Sequence, residues 1–127
     1  MTWKPESYSS VSSYLMVRDA EATLRFLEAV FGATRLRVHL REDVPGIAHA
    51  EARIDDSVIM MGEVTKLGEA HVHVYVEDAE AAFARALAAG GTEVQPLSRS
   101  GDGDYRGGVA DGNGAVWWIS TQEEDGV

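Results

Sequence analysis

The chain has 127 residues, 45% of them hydrophobic, enough for one domain with its own apolar core. It contains no cysteine, which excludes disulfides, thiolate metal sites and thiol nucleophiles and fits a reducing cytoplasm. Its 21 acidic against 11 basic side chains give a formal charge of −10, which disfavours nucleic acid and anionic membrane as partners and attracts cationic ligands.

The first ten residues are polar and without a period, and read as a flexible lead-in. Met1 to Ser7 lacks a basic region followed by an apolar run, and no stretch approaches the roughly 20 apolar residues of a membrane span, so a soluble, unprocessed, cytoplasmic protein is expected. Val11 to Val17 reads as a strand with Leu15 and Val17 on one face and Ser12, Tyr14 and Met16 on the other. Asp19 caps a helix over Ala20 to Phe31, where Leu24, Leu27 and Phe31 share a stripe and Gly32 supplies the stop. Arg35 to Arg41 alternates, setting Leu36, Val38 and Leu40 against Arg35, Arg37, His39 and Arg41, as a half-exposed strand does. Glu42 to Gly46 is a Pro-Gly turn, followed by strands at Ile47 to Ile54 and Ser57 to Gly62 around Asp55-Asp56.

Glu63 to Glu69 links this unit to a second one. A strand at His71 to Val76, a helix from Ala79 to Ala89, Gly90-Gly91, and strands at Thr92 to Pro96, Asp104 to Ala110 and Ala115 to Ser120 repeat the order. Ser98 to Gly103 reads as a mobile lip, and Asp111-Gly112-Asn113-Gly114 as a tight hairpin turn in which Asn-Gly supplies positive φ. The acidic tail, Gln122 to Val127, reads as frayed.

The two units are copies. Leu15 to Ala22 returns as Val74 to Ala81 with an identical Asp-Ala-Glu-Ala, an offset of 59 residues that also carries Leu24 onto Phe83 and Gly32 onto Gly91. Two copies are too few for a solenoid, so they are expected to pair about a pseudo-twofold axis with a site where they meet.

A duplicated βαβββ unit, opened twice by strand-Asp-Ala-Glu-Ala-helix and closed by Asp111-Gly112-Asn113-Gly114 before an aromatic strand, resembles the vicinal oxygen chelate superfamily over residues 11 to 122. His49 to Met61 and His73 to Asp78 look most like its bacterial glyoxalase/bleomycin-resistance, PhnB-like branch. The resemblance implies an α+β fold in one domain, residues 1–127. Its two tandem βαβββ units, 11–64 and 69–122, would form curved mixed sheets around a cavity with the helices outside. Open, curved sheets leave edges and inner faces to cover, and a chain with two such units can pair again, so a homodimer is expected. Fold alone does not fix function, because this one hosts several activities.

In the register of that superfamily the metal-ligand positions fall on Ser12, Met60, His71 and Trp118. Only His71 ligates well, so no metal and no other cofactor is expected. His71, His73 and Tyr75 alternate onto one face of their strand, as do His49, Glu51 and Arg53 on theirs. Trp117 and Trp118 must face opposite ways, and the register turns Trp118 to the cavity, where an indole stacks on planar or cationic groups. Tyr105 sits in Gly103-Asp104-Tyr105-Arg106-Gly107, where the branch usually has Trp-Gly-Asp-Arg-Tyr-Gly. The expected ligand-binding set is therefore Tyr14, His49, Glu51, Met60, His71, His73, Tyr75, Tyr105 and Trp118.

Asp19 and Asp78 read as caps rather than catalysts. The glycines at 101, 103, 107 and 108 make no phosphate loop, and Ser9, Ser10, Ser12 and Ser13 lack a partnered base. These residues fit a metal-free small-molecule-binding protein of the bleomycin-resistance type, with drug sequestration as its role. Two enzyme readings stay open. One is a metal-dependent glyoxalase- or dioxygenase-like lyase or isomerase using His71, His73 and Glu51 around a divalent ion. The other is a metal-free isomerase or lyase with His71 or Glu51 as base.

Overall fold

The computed structural model describes residues 3–66 and 68–124. Each half of the chain closes a sheet of its own. β1 (Ser13–Val17), α1 (Ala20–Phe31), β2 (Thr34–Leu40), β3 (Ile47–Ile54) and β4 (Ser57–Glu63) build a sheet ordered β1-β4-β3-β2. β5 (Ala70–Tyr75), α2 (Ala79–Ala88), β6 (Thr92–Arg99), β7 (Asp104–Ala110) and β8 (Ala115–Gln122) repeat it as β5-β8-β7-β6. In both sheets the first strand runs parallel to the last and the other neighbours are antiparallel. This is the α+β architecture of two tandem βαβββ units.

Local chemistry sets the helix ends. Asp19 accepts from the Ala22 N–H and Asp78 from the Ala81 N–H, so both aspartates are N-caps. Gly32 ends α1 in the left-handed region at φ 65°, where a Cβ would be strained. The helix-side faces of the sheets share one core, in which Leu15, Leu24, Leu27, Met61, Val109, Trp117 and Ile119 are all buried. Neither helix is long and apolar enough to cross a membrane.

The halves join through the backs of their sheets and through the Asp111–Gly114 turn. Trp117 of β8 lies against Phe26 and Phe31 of α1, with ring centroids 6.3 and 5.7 Å away. The buried Asn113 side chain accepts from the Arg18 and Asp19 N–H groups and donates to the Asp19 carbonyl and the Thr23 hydroxyl. A turn of the second unit thereby finishes the strand-to-helix junction of the first.

Several local expectations are corrected. β6 continues to Arg99, pairing Ser98 and Arg99 with Arg106 and Tyr105, so the loose lip shrinks to residues 100–103. Pro96 is tolerated because β6 is an edge strand with a register shift between Gln95 and Ser98. In the Asp-Gly-Asn-Gly turn the positive φ values belong to Gly112 (72°) and Gly114 (109°), leaving Asn113 for its clamp. Register shifts in β2 break its alternation, and Leu40 is exposed. The start of the tail is held, with the Glu123 and Glu124 N–H groups bonded to the Gly103 carbonyl; residues 125–127 lie outside the described residues. Tyr8 of the lead-in is docked by its hydroxyl on Glu51; Met1 and Thr2 lie outside the described residues.

Candidate functional site

Strand pairing divides the sequence-derived candidates into two groups, one on the open face of each sheet, opposite the helices. On the first sheet Tyr14 lies beside Met60 and Met60 beside Glu51, with His49 one step along β3 on the same face. On the second, His73 lies beside Trp118 and Tyr75 beside Ser120, with His71 at the start of the same face. The register aligns Met60 with Trp118 and Tyr14 with His73 as counterparts in the repeat. Within one chain the side-chain hydrogen bonds among the residues of each group stay on that group's own sheet.

The first face holds a chain of polar groups. The Tyr14 hydroxyl is 3.0 Å from His49 Nδ1, and His49 Nε2 is 2.7 Å from a Glu51 carboxylate oxygen. The other Glu51 oxygen accepts the Tyr8 hydroxyl at 2.5 Å. Glu51 is only 2% exposed. Burial pushes its carboxyl up, but the hydrogen bonds from His49 and Tyr8 outweigh this and hold it below the usual range. An ionised carboxylate only accepts, so the hydrogen between His49 Nε2 and Glu51 is the imidazole's, and His49 Nδ1 lies within hydrogen-bond distance of the Tyr14 hydroxyl. Gly62 makes room, since a Cβ there would stand 3.0 Å from the Tyr14 oxygen. Arg37 and Arg53 lie over the Tyr8 ring at 5.3 and 5.7 Å.

The second face is aromatic. The half-buried Trp118 indole lies over Gly108, where a Cβ would come within 2.7 Å of the ring. Its N–H donates to His71 Nδ1 at 3.0 Å, and the two rings stack at 15° with centroids 6.1 Å apart. Beside it the Ser120 hydroxyl bonds His73 Nε2 at 2.9 Å, and Arg106 donates to Ser120, Asp102 and Asp104. The Tyr75 hydroxyl also donates to Asp104, at 2.8 Å. Burial and the Arg106 charge hold His73 below the usual imidazole range. Ser120 is fully buried and out of reach as a nucleophile.

Tyr105 does not join this group. It alternates away from Arg106 onto the helix side, packs against the core, and carries the Arg99 guanidinium 4.1 Å above its ring. Arg106, Asp104 and Ser120 were missed, although parity from Trp118 through the β7–β8 hairpin places them on its face. Tyr8 carries no such signal, because its segment has no period.

The donors do not fit a metal. At the superfamily's ligand positions Met60 offers a thioether and the Trp118 N–H is spent on His71, which leaves Ser12 and His71 as too few donors to hold an ion. No cluster of three or more His, Asp or Glu side chains is arranged to hold an ion among the described residues. His71 and His73 stand on β5 of one sheet and Glu51 on β3 of the other, and they form no ion-holding cluster among the described residues.

Residues 10–119 match the family model of the Glyoxalase/Bleomycin resistance protein/Dioxygenase superfamily. An uncharacterised protein of Mycobacterium bovis is 33% identical over 126 residues, spanning 85% of this chain and 80% of its own. Among solved structures, TioX from Micromonospora sp. ML1 superposes with TM-score 0.74 at 24% identity, covering 90% of this chain and 98% of its own. The genomically encoded fosfomycin resistance protein FosX from Listeria monocytogenes gives 0.71 at 17% identity, covering 87% and 91%.

Proposed function

Because the chain belongs to the Glyoxalase/Bleomycin resistance protein/Dioxygenase superfamily, we propose that it binds a planar, apolar or cationic organic molecule on the Trp118 face without a metal. Sequestration of a toxic compound is the role this suggests. The observation that carries the reading is the Trp118 indole itself, pinned beneath by Gly108 and at its edge by His71, so that stacking a ligand costs little side-chain ordering. Charge supports it. Asp102 and Asp104 outnumber Arg106, His73 is held toward its neutral form, and the whole chain carries −10. The likeness to a fosfomycin resistance protein supports the sequestration role only as analogy of fold.

A thermal-shift screen of planar and cationic compounds, with elemental analysis of the purified protein, tests the reading. Hits whose affinity falls in Trp118→Ala and Gly108→Ala are expected, with no stoichiometric metal. About one equivalent of Zn, Ni, Mn or Fe per chain, surviving dialysis and lost in His71→Ala, would overturn it.

A further inference from the structure

We propose that Asn113 is a site of spontaneous deamidation that the folded chain holds closed, and that the reaction unlatches the two halves. Asn113 is the single asparagine of the sequence, and Gly114 follows it. Glycine has no Cβ to shield its backbone nitrogen, so in an open chain that nitrogen reaches the carboxamide carbon of the residue before it. In the folded chain the carboxamide is saturated. Its oxygen accepts from the Arg18 and Asp19 N–H groups at 2.9 and 3.0 Å, and its nitrogen donates to the Asp19 carbonyl and the Thr23 hydroxyl, both at 2.6 Å. An asparagine side chain has two acceptor sites and two donor hydrogens, and all are engaged here. Gly114 is held as well. Its carbonyl accepts from the Ala70 N–H, and Asp111 binds the N–H groups of Asn113 and Ala115 on either side of it. The Asn113 carbon therefore meets the Gly114 nitrogen only when the side chain leaves α1.

The reaction needs only water. The Gly114 nitrogen bonds to the Asn113 Cγ and gives up its proton, the bond from Cγ to the carboxamide nitrogen breaks, and that nitrogen leaves as ammonia. Water then opens the cyclic imide at one of its two carbonyls. The product is aspartate, or isoaspartate in which the backbone runs through the former side chain. A cleft of about 390 Å³ between α1 and the turn, lined by Thr23, Phe26, Asp111 and Asn113 among others, brings water to the place. Neither product rebuilds the clamp. In aspartate an oxygen replaces the nitrogen that stood 2.6 Å from the Asp19 carbonyl oxygen, and a carboxylate has no hydrogen to share there. Isoaspartate adds a methylene to the backbone of a turn whose Gly112 and Gly114 already sit at φ 72° and 109°. The change is one-way, so modified chains accumulate with the time that the turn spends away from α1. The site is on the helix side of the sheets, and its chemistry is separate from ligand binding at Trp118.

Peptide mass spectrometry of the full chain, incubated at mildly alkaline pH either folded or unfolded in guanidinium chloride, tests the proposal. With no other asparagine in the sequence, the mass gain from exchanging NH₂ for OH maps to one residue. The unfolded chain is expected to deamidate at least about tenfold faster than the folded one, because the reaction waits for local opening. Thr23→Val removes one bond of the clamp, and the folded variant is expected to react faster than the parent. Folded chains that have been converted, separated from the parent by their added negative charge, are expected to unfold at a lower denaturant concentration. Equal rates in folded and unfolded chains would overturn the protection whether or not Thr23→Val folds. A folded Thr23→Val protein reacting at the parent's rate would overturn the clamp as its cause. An unchanged unfolding midpoint after conversion would overturn the unlatching.

Discussion

Consecutive residues on one strand carry opposite duties in this protein. Trp117 is fully buried between the sheet and α1, with its N–H bonded to Asp111, whereas Trp118 lies on the open face. Trp117→Ala should therefore cost roughly 3–5 kcal/mol as a core truncation. Trp118→Ala should cost clearly less in stability and about 1–2 kcal/mol in affinity for a stacking ligand. Urea melts of both variants and titrations with a screening hit check this; loss of binding from Trp117→Ala with melting unchanged would reverse the assignment. His73 makes a pH prediction. An imidazole held below its ordinary value of 6.5 binds a proton less readily folded than unfolded. Its contribution to stability is complete above that value and is lost as pH falls through the window below it. Melting temperatures followed from about pH 8 to about pH 5 should fall less in His73→Gln than in the parent.

The strand-turn-helix corner is the element on which the two copies depend. In each unit an aspartate caps the helix, but the corner of the first unit is also held by Asn113 from the last turn of the second. Asn113→Ala leaves the part-buried Arg18 and Asp19 N–H groups without their acceptor, while the Thr23 hydroxyl keeps its bond to the Asp19 carbonyl, and should cost about 1–2 kcal/mol. Denaturant unfolding measures it, and a loss near zero would mean that apolar packing and the bond from Arg85 to the Val30 carbonyl hold the halves without Asn113. Edge strands behave differently. β6 admits Pro96 and a bulge, and β2 leaves Leu40 outside, because each has a neighbour on one side only.

At the scale of the whole chain, the two open faces are the unfinished part. Tyr14 and Met16 remain 48% and 49% exposed, and Tyr75 62%, on faces whose polar residues are already organised. A second copy facing them would reduce that exposure while enclosing a cleft that a ligand can still enter, and closed two-fold pairing is the commonest solution for soluble proteins. Light scattering at micromolar concentration should give about 27 kDa, twice the chain's 13.7 kDa. A single monomeric mass would refute the dimer.

The sequence by itself determined the elements and their duplication. Capping aspartates, stop glycines and alternation act over a few residues, so both helices and the eight strands among the described residues were legible, with ends displaced mainly at β1, β6 and β8. It also determined, through strand parity, that Trp117 and Trp118 face opposite ways. Only the tertiary structure decided which of those faces come together. The separation of Glu51 from His71 and His73, the turn of Tyr105 toward the helices, and the docking of Tyr8 on Glu51 follow from strand order and from a contact 43 residues apart in sequence. Local periodicity carries no information about pairing across such distances, because the free energy that selects it comes from burial and hydrogen bonding among segments that meet only after the sheets have formed.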